Sequence, residues 1–206
     1  MKIICPVSRE DKIKKACRKS LEKLSQLGYS VKIVESLDPG SVSDFVDLKE
    51  PDHLFVDSDI GPFDEYQINI LRATRKEVVS GAYQKYCVNG ELKENRSWWS
   101  GGNNSFVAGQ WGNVTGLIGS CVVNYCVNLI QVDWCGAGFL YVKTEAIKKI
   151  LEVSKMPLFY HETISDKKLT FGRGQTTVDL GFSLNCMKAN IPIWLQCACT
   201  VNHIRR

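Results

Sequence analysis

Hydrophobic positions along the first third of the chain alternate between two periods. Lys2 to Pro6 is a short apolar run that predicts a strand. Ile13, Cys17, Leu21, Leu24 and Leu27 then recur at helical spacing until Gly28 closes the pattern. Ser8-Arg9-Glu10-Asp11 resembles a capping box ahead of that helix, with Ser8 as N-cap and an Asp where Glu or Gln is usual. Ser30 to Val34 predicts a second strand. Strand, helix and strand with such short links form a βαβ unit, and a βαβ unit requires parallel strands. Val42 to Leu48 carries about two helical turns and His53 to Asp57 a third strand. Asp64 to Thr74 predicts a helix with Tyr66, Ile70 and Leu71 inward, followed by a strand over Glu77 to Ala82.

From Tyr83 to about Val114 the periodicity dissolves into Gly, Asn and Ser with Trp98, Trp99, Phe106 and Trp111 embedded. A loop this long inside a domain is usually functional, and its aromatics argue against disorder. The expectation is a flap near the site that offers stacking surfaces, the alternative a hairpin tucked onto the sheet. Cys121 to Asp133 is apolar enough for one or two strands. A strand over Phe139 to Val142, a helix over Thr144 to Val153 and a polar loop over Asp166 to Gln175 follow, the loop carrying Arg173 between two glycines. Thr176 to Ala189 predicts a helix, Ile191 to Gln196 a strand, and Thr200 to Arg206 a tail. The expected class is α/β: a Rossmann-like, mostly parallel central sheet flanked by helices.

Composition narrows this only a little. With 206 residues, 44% hydrophobic and 23% charged, the chain suits one well-buried domain spanning 1–206. Its net charge of +4 favours an anionic ligand without being a nucleic-acid signature. Lys12, Lys14, Lys15, Arg18, Lys19 and Lys23 cluster on the first helix, as a solvated face or as a surface for DNA or membrane. No apolar run reaches the roughly 20 residues of a membrane span, and the apolar start is too short for a signal peptide, so a cytoplasmic location is expected. The nine cysteines include no C-x-x-C pair, which points to buried free thiols rather than a zinc ribbon. The Asn-x-Ser/Thr triplets at Asn95, Asn103 and Asn113 matter only in a secreted protein.

The chemistry centres on Leu54-Phe55-Val56-Asp57-Ser58-Asp59-Ile60-Gly61-Pro62. Three apolar residues end a buried strand, two carboxylates follow at i and i+2, and Gly-Pro stops the strand. Ligands of an open α/β sheet bind outside the carboxyl ends of its strands. Two hard oxygen donors there suit a Mg²⁺ or Mn²⁺ that keeps positions open for water and phosphate, although a solvated Asp-rich turn has the same sequence.

Several segments in order resemble the GT-A fold glycosyltransferases, in particular the small single-domain ones of phages, viruses and bacteria. Pro6-Val7-Ser8 ends the first strand, and Asp57-Ser58-Asp59-Ile60-Gly61-Pro62 is similar to their D-x-D motif. Val78-Val79-Ser80-Gly81-Ala82-Tyr83 resembles the strand after it. Gly136-Ala137-Gly138-Phe139 with Met156-Pro157-Leu158-Phe159 resembles the central segment. Val178-Asp179-Leu180-Gly181-Phe182, then Ala189-Asn190-Ile191-Pro192-Ile193-Trp194 and His203, resembles the ending. Val178 stands where the family usually has Glu, and the Arg-Asn pair common before the D-x-D is missing.

The resemblance implies transfer of a sugar from a nucleoside-diphosphate sugar, UDP-linked, onto the hydroxyl of a glycan, a protein or a modified nucleic-acid base. It implies Mn²⁺ or Mg²⁺ held directly by Asp59 and by His203, with Asp57 reaching the ribose or, through water, the metal. Pro6, Ser8 and Glu35 would hold the nucleoside, and Arg173, with Arg205, the diphosphate. Trp134 and the Trp98-Trp99 pair would stack on a sugar or base, or pack in the core. Asp179 would be the general base of an inverting transfer, although Thr176-Thr177-Val178-Asp179 also fits a capping box with a purely structural carboxylate. The rivals are a nucleotidyltransferase of the same fold and a non-catalytic nucleotide- or sugar-binding module.

Overall fold

The computed structural model describes residues 1–7, 13–35, 39–83, 87–88, 91–92, 101–102, 129–132, 134–160 and 178–205. Strand β1 (Lys2–Val7) pairs in parallel with β2 (Ser30–Glu35), and α1 (Lys15–Gln26) connects them. Helix α1 buries Cys17, Ser20, Leu21 and Leu24 on one face, each leucine contributing about 1.5–3 kcal/mol of apolar burial. Gly28, at φ 91°, ends it in the left-handed region. The expected Ser8 capping box lies outside the described residues. Lys14 is the N-cap and makes no side-chain capping bond. Leu27, expected inward, is 55% exposed, because it lies past the last helical turn, where the 3.6-residue period no longer sets its direction.

A 3-10 helix over Pro39–Phe45 replaces the turns expected over Val42 to Leu48. It leads into β3 (Asp52–Val56), which is buried throughout. Helix α2 (Glu65–Ala73) opens on a reciprocal cap: Asp64 Oδ1 accepts the Tyr66 amide at 2.8 Å, and Gln67 Oε1 accepts the Asp64 amide at 2.9 Å. Ile68 and Leu71 form its inward stripe. Tyr66, two residues before Ile68 and so on the opposite side, is 69% exposed and corrects the expected inward placement.

The remaining strands are β4 (Val78–Tyr83), β5 (Cys87–Val88), β6 (Glu91–Leu92), β7 (Gly101–Gly102), β8 (Leu129–Val132), β9 (Trp134–Cys135) and β10 (Phe139–Lys143). Helices α3 (Thr144–Ser154) and α4 (Val178–Lys188) follow, then β11 (Ile193–Val201) and β12 (Ile204–Arg205). The main sheet runs β2-β1-β3-β10-β4-β11-β8. Five of its strands share one direction, and β10 and β8 run against them. The chain thus forms the expected α/β fold, a mostly parallel central sheet flanked by helices.

Reversal of β10 matters most for the site. Phe139, its first residue, pairs with Val56, the last residue of β3. An antiparallel strand begins where its neighbours end, so the turn before Phe139 is delivered to the carboxyl edge of the parallel strands, beside Asp57.

Alternation along β3 feeds two cores. Leu54 and Val56 pack with Leu21, Leu24, Ile68, Leu71 and Phe139 on the α1 and α2 side. Phe55 packs on the other side with Leu140, Ile147, Ile150, Phe159 and Phe182. There Phe159 lies edge-on to Phe55 at 4.8 Å and stacks on Phe182 at 5.2 Å. The six cysteines whose side chains are described, Cys5, Cys17, Cys135, Cys186, Cys197 and Cys199, are free and buried, as expected. Among the described residues no helix is long and apolar enough to cross a membrane.

Candidate active site

Asp57-Ser58-Asp59 leaves the end of β3 as a half-buried turn held by distant segments. The Asp57 amide donates to Gly138 O at 3.0 Å and the Ile60 amide returns to Asp57 O at 3.0 Å. Ser58 O accepts the Lys14 amide at 2.9 Å, Asn202 O accepts the Gly61 amide at 2.9 Å, and Asp59 O accepts the Ile204 amide at 2.7 Å. The entry to α1, the turn before β10 and the end of the described chain therefore all grip the same few residues. Glycine is needed at position 61, where φ is 153° and a Cβ would stand 3.0 Å from the Cys17 amide nitrogen.

Side chains complete the group. His203 Nε2 stands 2.9 Å from Asp59 Oδ2, and an isolated antiparallel bridge between Ile60 and His203 fixes that approach. Asp179, in the first turn of α4, accepts the Ala137 amide on Oδ1 at 3.1 Å. Ala137 and Gly138 are neighbours, so one short turn holds Asp179 through an amide and Asp57 through a carbonyl. Two buried serines position that turn: Ser80 Oγ donates to Gly136 O at 3.1 Å, and Ser183 Oγ accepts the Cys135 amide at 3.3 Å while donating to Asp179 O at 2.8 Å. Helix α4 seats this closely because Gly181 has no side chain; a Cβ there would run into the Tyr160 carbonyl.

Burial and crowding of like charge dominate the electrostatics. Burial first, then Asp179 and Asp59, push the Asp57 carboxyl up to about 7, while His203 pulls it down. Burial raises Asp179 too, against the Ala137 hydrogen bond and His203. Beneath them the Cys5 thiol is held far above its ordinary value by its hydrogen bond with Cys17, by burial and by the two carboxylates of the turn. Among the described residues no Lys or Arg forms an ion pair with Asp57, Asp59 or Asp179.

Such a site fits a divalent cation. Adjacent ligands of an octahedral ion, each about 2.0–2.1 Å from the metal, stand about 2.9 Å apart, the separation of Asp59 Oδ2 and His203 Nε2. Oxygen and imidazole donors suit Mn²⁺ and Mg²⁺ in type. Among the described residues no three His, Cys, Asp or Glu side chains converge as a ready-made cage, so these residues offer part of a coordination shell.

Of the other residues singled out in the sequence, Pro6 is half-buried in β1, and Glu35 is exposed at the end of β2, where it pairs with Val7. Both lie on the same carboxyl edge as Asp57. Trp134 is buried, in line with the core-packing alternative considered for it. Arg205 lies on β12, beside the site's His203. Ser8, Arg173, Trp98, Trp99, Phe106, Trp111 and the Thr176 cap considered for Asp179 lie outside the described residues. Sequence reasoning missed Ser183, although its i+4 spacing from Asp179 was a legible signal. Ser80 and Gly136–Gly138 stand in segments that carry the resemblance, but their hold on Asp57 and Asp179 has no local signal in the sequence.

Similarity to known proteins is structural. No family model matches the chain, and no curated protein matches it in sequence. Over 100% of this chain and 87% of the other, it is similar to the solved structure of A197 from STIV, with a TM-score of 0.55 and 14% identity. That likeness extends to the fold. Weaker similarities cover 100% of this chain and 71% of the catalytic domain of Drosophila beta1,4-galactosyltransferase 7 with xylobiose, at a TM-score of 0.49 and 11% identity. A mutant of that enzyme with manganese, UDP-Gal and xylobiose gives 0.44 at 10% identity, again over 100% and 71% of the two chains. A nucleoside-diphosphate-sugar pyrophosphorylase from Vibrio cholerae RC9 gives 0.39 at 10% identity, over 98% and 73%. These last three are too distant to carry an activity across.

Proposed function

We propose that residues 1–206 form one GT-A domain that catalyses metal-dependent transfer of a sugar from a nucleoside-diphosphate sugar, UDP-linked, to an acceptor hydroxyl. One observation carries the reading: Asp57 and Asp179 are bound to adjacent residues of a single turn, Asp59 meets His203 at 2.9 Å, and no described Lys or Arg is paired with the three acids. In this reading Asp59 and His203 hold Mn²⁺ or Mg²⁺ directly and Asp57 acts at one remove, through water or on the ribose. The bound ion would neutralise the charge that develops on the departing diphosphate.

The chain's own groups do the rest. Pro6 and Glu35, on the carboxyl edge, belong with Ser8 to the nucleoside subsite in this reading, and Arg173 supplies a cation for the diphosphate. Asp179 accepts the proton of the attacking hydroxyl. The Ala137 amide orients its carboxylate through Oδ1, its other oxygen has no partner among the described residues, and burial raises its basicity. Attack opposite the leaving group inverts the anomeric centre.

Calorimetric titration of UDP, GDP, CDP and ADP, with and without Mn²⁺, tests this on the wild type and on Asp59→Ala. The expected result is that UDP binds only with Mn²⁺ and that Asp59→Ala weakens it more than about 100-fold. Absence of all binding, or binding indifferent to metal and to Asp59, makes the D-x-D a structural turn and ends the glycosyltransferase reading.

A further inference from the structure

A charge equal to the chain's net +4 sits on one helix together with its cap residue. Lys14, Lys15, Arg18, Lys19 and Lys23 lie between residues 14 and 26 with a single acid, Glu22, so the rest of the sequence is balanced. Lys15, Arg18, Lys19 and Lys23 are exposed on the face of α1 turned away from Cys17, Leu21 and Leu24. None forms an ion pair among the described residues.

The cations at the start of α1, Lys14 and Lys15, oppose the helix's own preference, whereas Lys23 in the last turn accords with it. A helix N-terminus carries partial positive charge and favours acids, by about 0.3–1 kcal/mol each. The first turn of α1 has no acid, and Lys14, its cap residue, makes no capping bond. Cations there are a cost to the isolated fold that an external anion would reverse.

Shape narrows the partner. From Lys15 to Lys23 the stripe is about 12 Å long at 1.5 Å per residue; laid along the axis of a duplex, which sets a phosphate of each strand about every 3.4 Å of its length, it faces three to four phosphates. No large apolar side chain interrupts it, and the helix's apolar face is already buried in the core, so nothing remains to insert into a bilayer. Its direction is specific as well: the Lys14 amide binds Ser58 O at 2.9 Å, and the Ala16–Cys17 backbone packs on Gly61, so the stripe ends at the D-x-D turn.

We infer that the exposed face of α1 binds the phosphate backbone of a nucleic acid and leads that strand to the carboxyl edge of the sheet. Joined to the glycosyltransferase reading, on which this last step rests, it makes the acceptor a nucleic acid.

Fluorescence anisotropy with labelled 20-nucleotide single strands and duplexes tests the surface, using the wild type, the triple variant Lys15→Glu, Arg18→Glu, Lys19→Glu, and a control, Lys148→Glu with Lys149→Glu, on the exposed face of α3. Three to four phosphate contacts predict a roughly 40- to 150-fold loss of duplex affinity between 50 and 200 mM salt. The triple variant should bind at least ten-fold more weakly with a shallower salt slope, and the control should match the wild type. Equal binding by all three proteins, no binding by the wild type, or preference for phosphatidylserine vesicles over either oligonucleotide overturns the proposal. UDP titration of the triple variant separates the two readings. Metal-dependent UDP binding that survives while oligonucleotide binding falls supports the surface; oligonucleotide binding without any UDP binding leaves the surface standing and removes the glycosyltransferase.

Discussion

The two ends of β3 bury polar groups on opposite terms. At its start, Asp52 Oδ2 accepts from Tyr141 Oη at 3.1 Å and meets Arg72 Nε at 3.2 Å. His53 is bonded on both nitrogens: Nε2 accepts the Asp47 amide at 3.1 Å, and Nδ1 stands 3.3 Å from Thr144 Oγ1, whose own hydroxyl donates to Glu50 O. The imidazole is thus neutral, with its proton on Nδ1. At the other end Asp57, Asp59 and Asp179 crowd together with His203 as the nearest compensating group, and the Asp57 carboxyl is pushed up to about 7. Buried polar groups with partners serve stability; buried like charges without them are costly and persist where a ligand supplies the missing charge. One strand of five residues separates the two regimes.

Breaking the compensated end should have the largest effect on folding. Asp52→Ala strands the Tyr141 hydroxyl and unpairs Arg72, and chemical denaturation should show a loss of about 3 kcal/mol. Arg72 is partly exposed and can turn to water, so a loss below about 1 kcal/mol would show that this end is no better compensated than the other.

The opposite sign is expected at the uncompensated end. Asp57→Asn removes one of three crowded carboxylates and should raise stability of the metal-free protein by about 1–2 kcal/mol. The same variant should lose the rise in melting temperature that Mn²⁺ gives the wild type. If Asp57→Asn destabilises instead, the acids are not in conflict and the contrast between the two ends fails.

A smaller effect sharpens the comparison from the His53 side. Burial, and then the Lys2 ammonium, hold its pKa below the ordinary 6.5, while Asp52, Glu50 and Asp47 pull the other way. Its contribution to stability is therefore fully present above pH 6.5 and is lost as pH falls through the lowered folded value. The loss is at most about 1.4 kcal/mol per pH unit. Denaturation midpoints of the wild type should fall relative to His53→Gln between pH 6.5 and 5; parallel curves would mean that His53 is not buried neutral.

Much of the frame was readable in the amino-acid sequence because it depends on local period and punctuation. The βαβ opening, α1 closing at Gly28, the strand that runs into the D-x-D, and the span of α3 all follow from side-chain spacing within a few residues. Where that logic was extended past an element's end it failed, as with Leu27, and where a residue two positions from the buried stripe was counted into it, as with Tyr66, the exposed residue was taken for a buried one. His203 and Asp179 entered by resemblance, and their partners carry no local signature. Only the tertiary structure decided that β10 runs backwards, that its turn holds Asp57 and Asp179 together, and that His203 closes on Asp59. Side-chain periodicity records which face of an element meets the core, whereas hydrogen bonds to backbone amides and carbonyls use groups that every residue carries. Which of them meet is set by the packing of segments far apart in the chain.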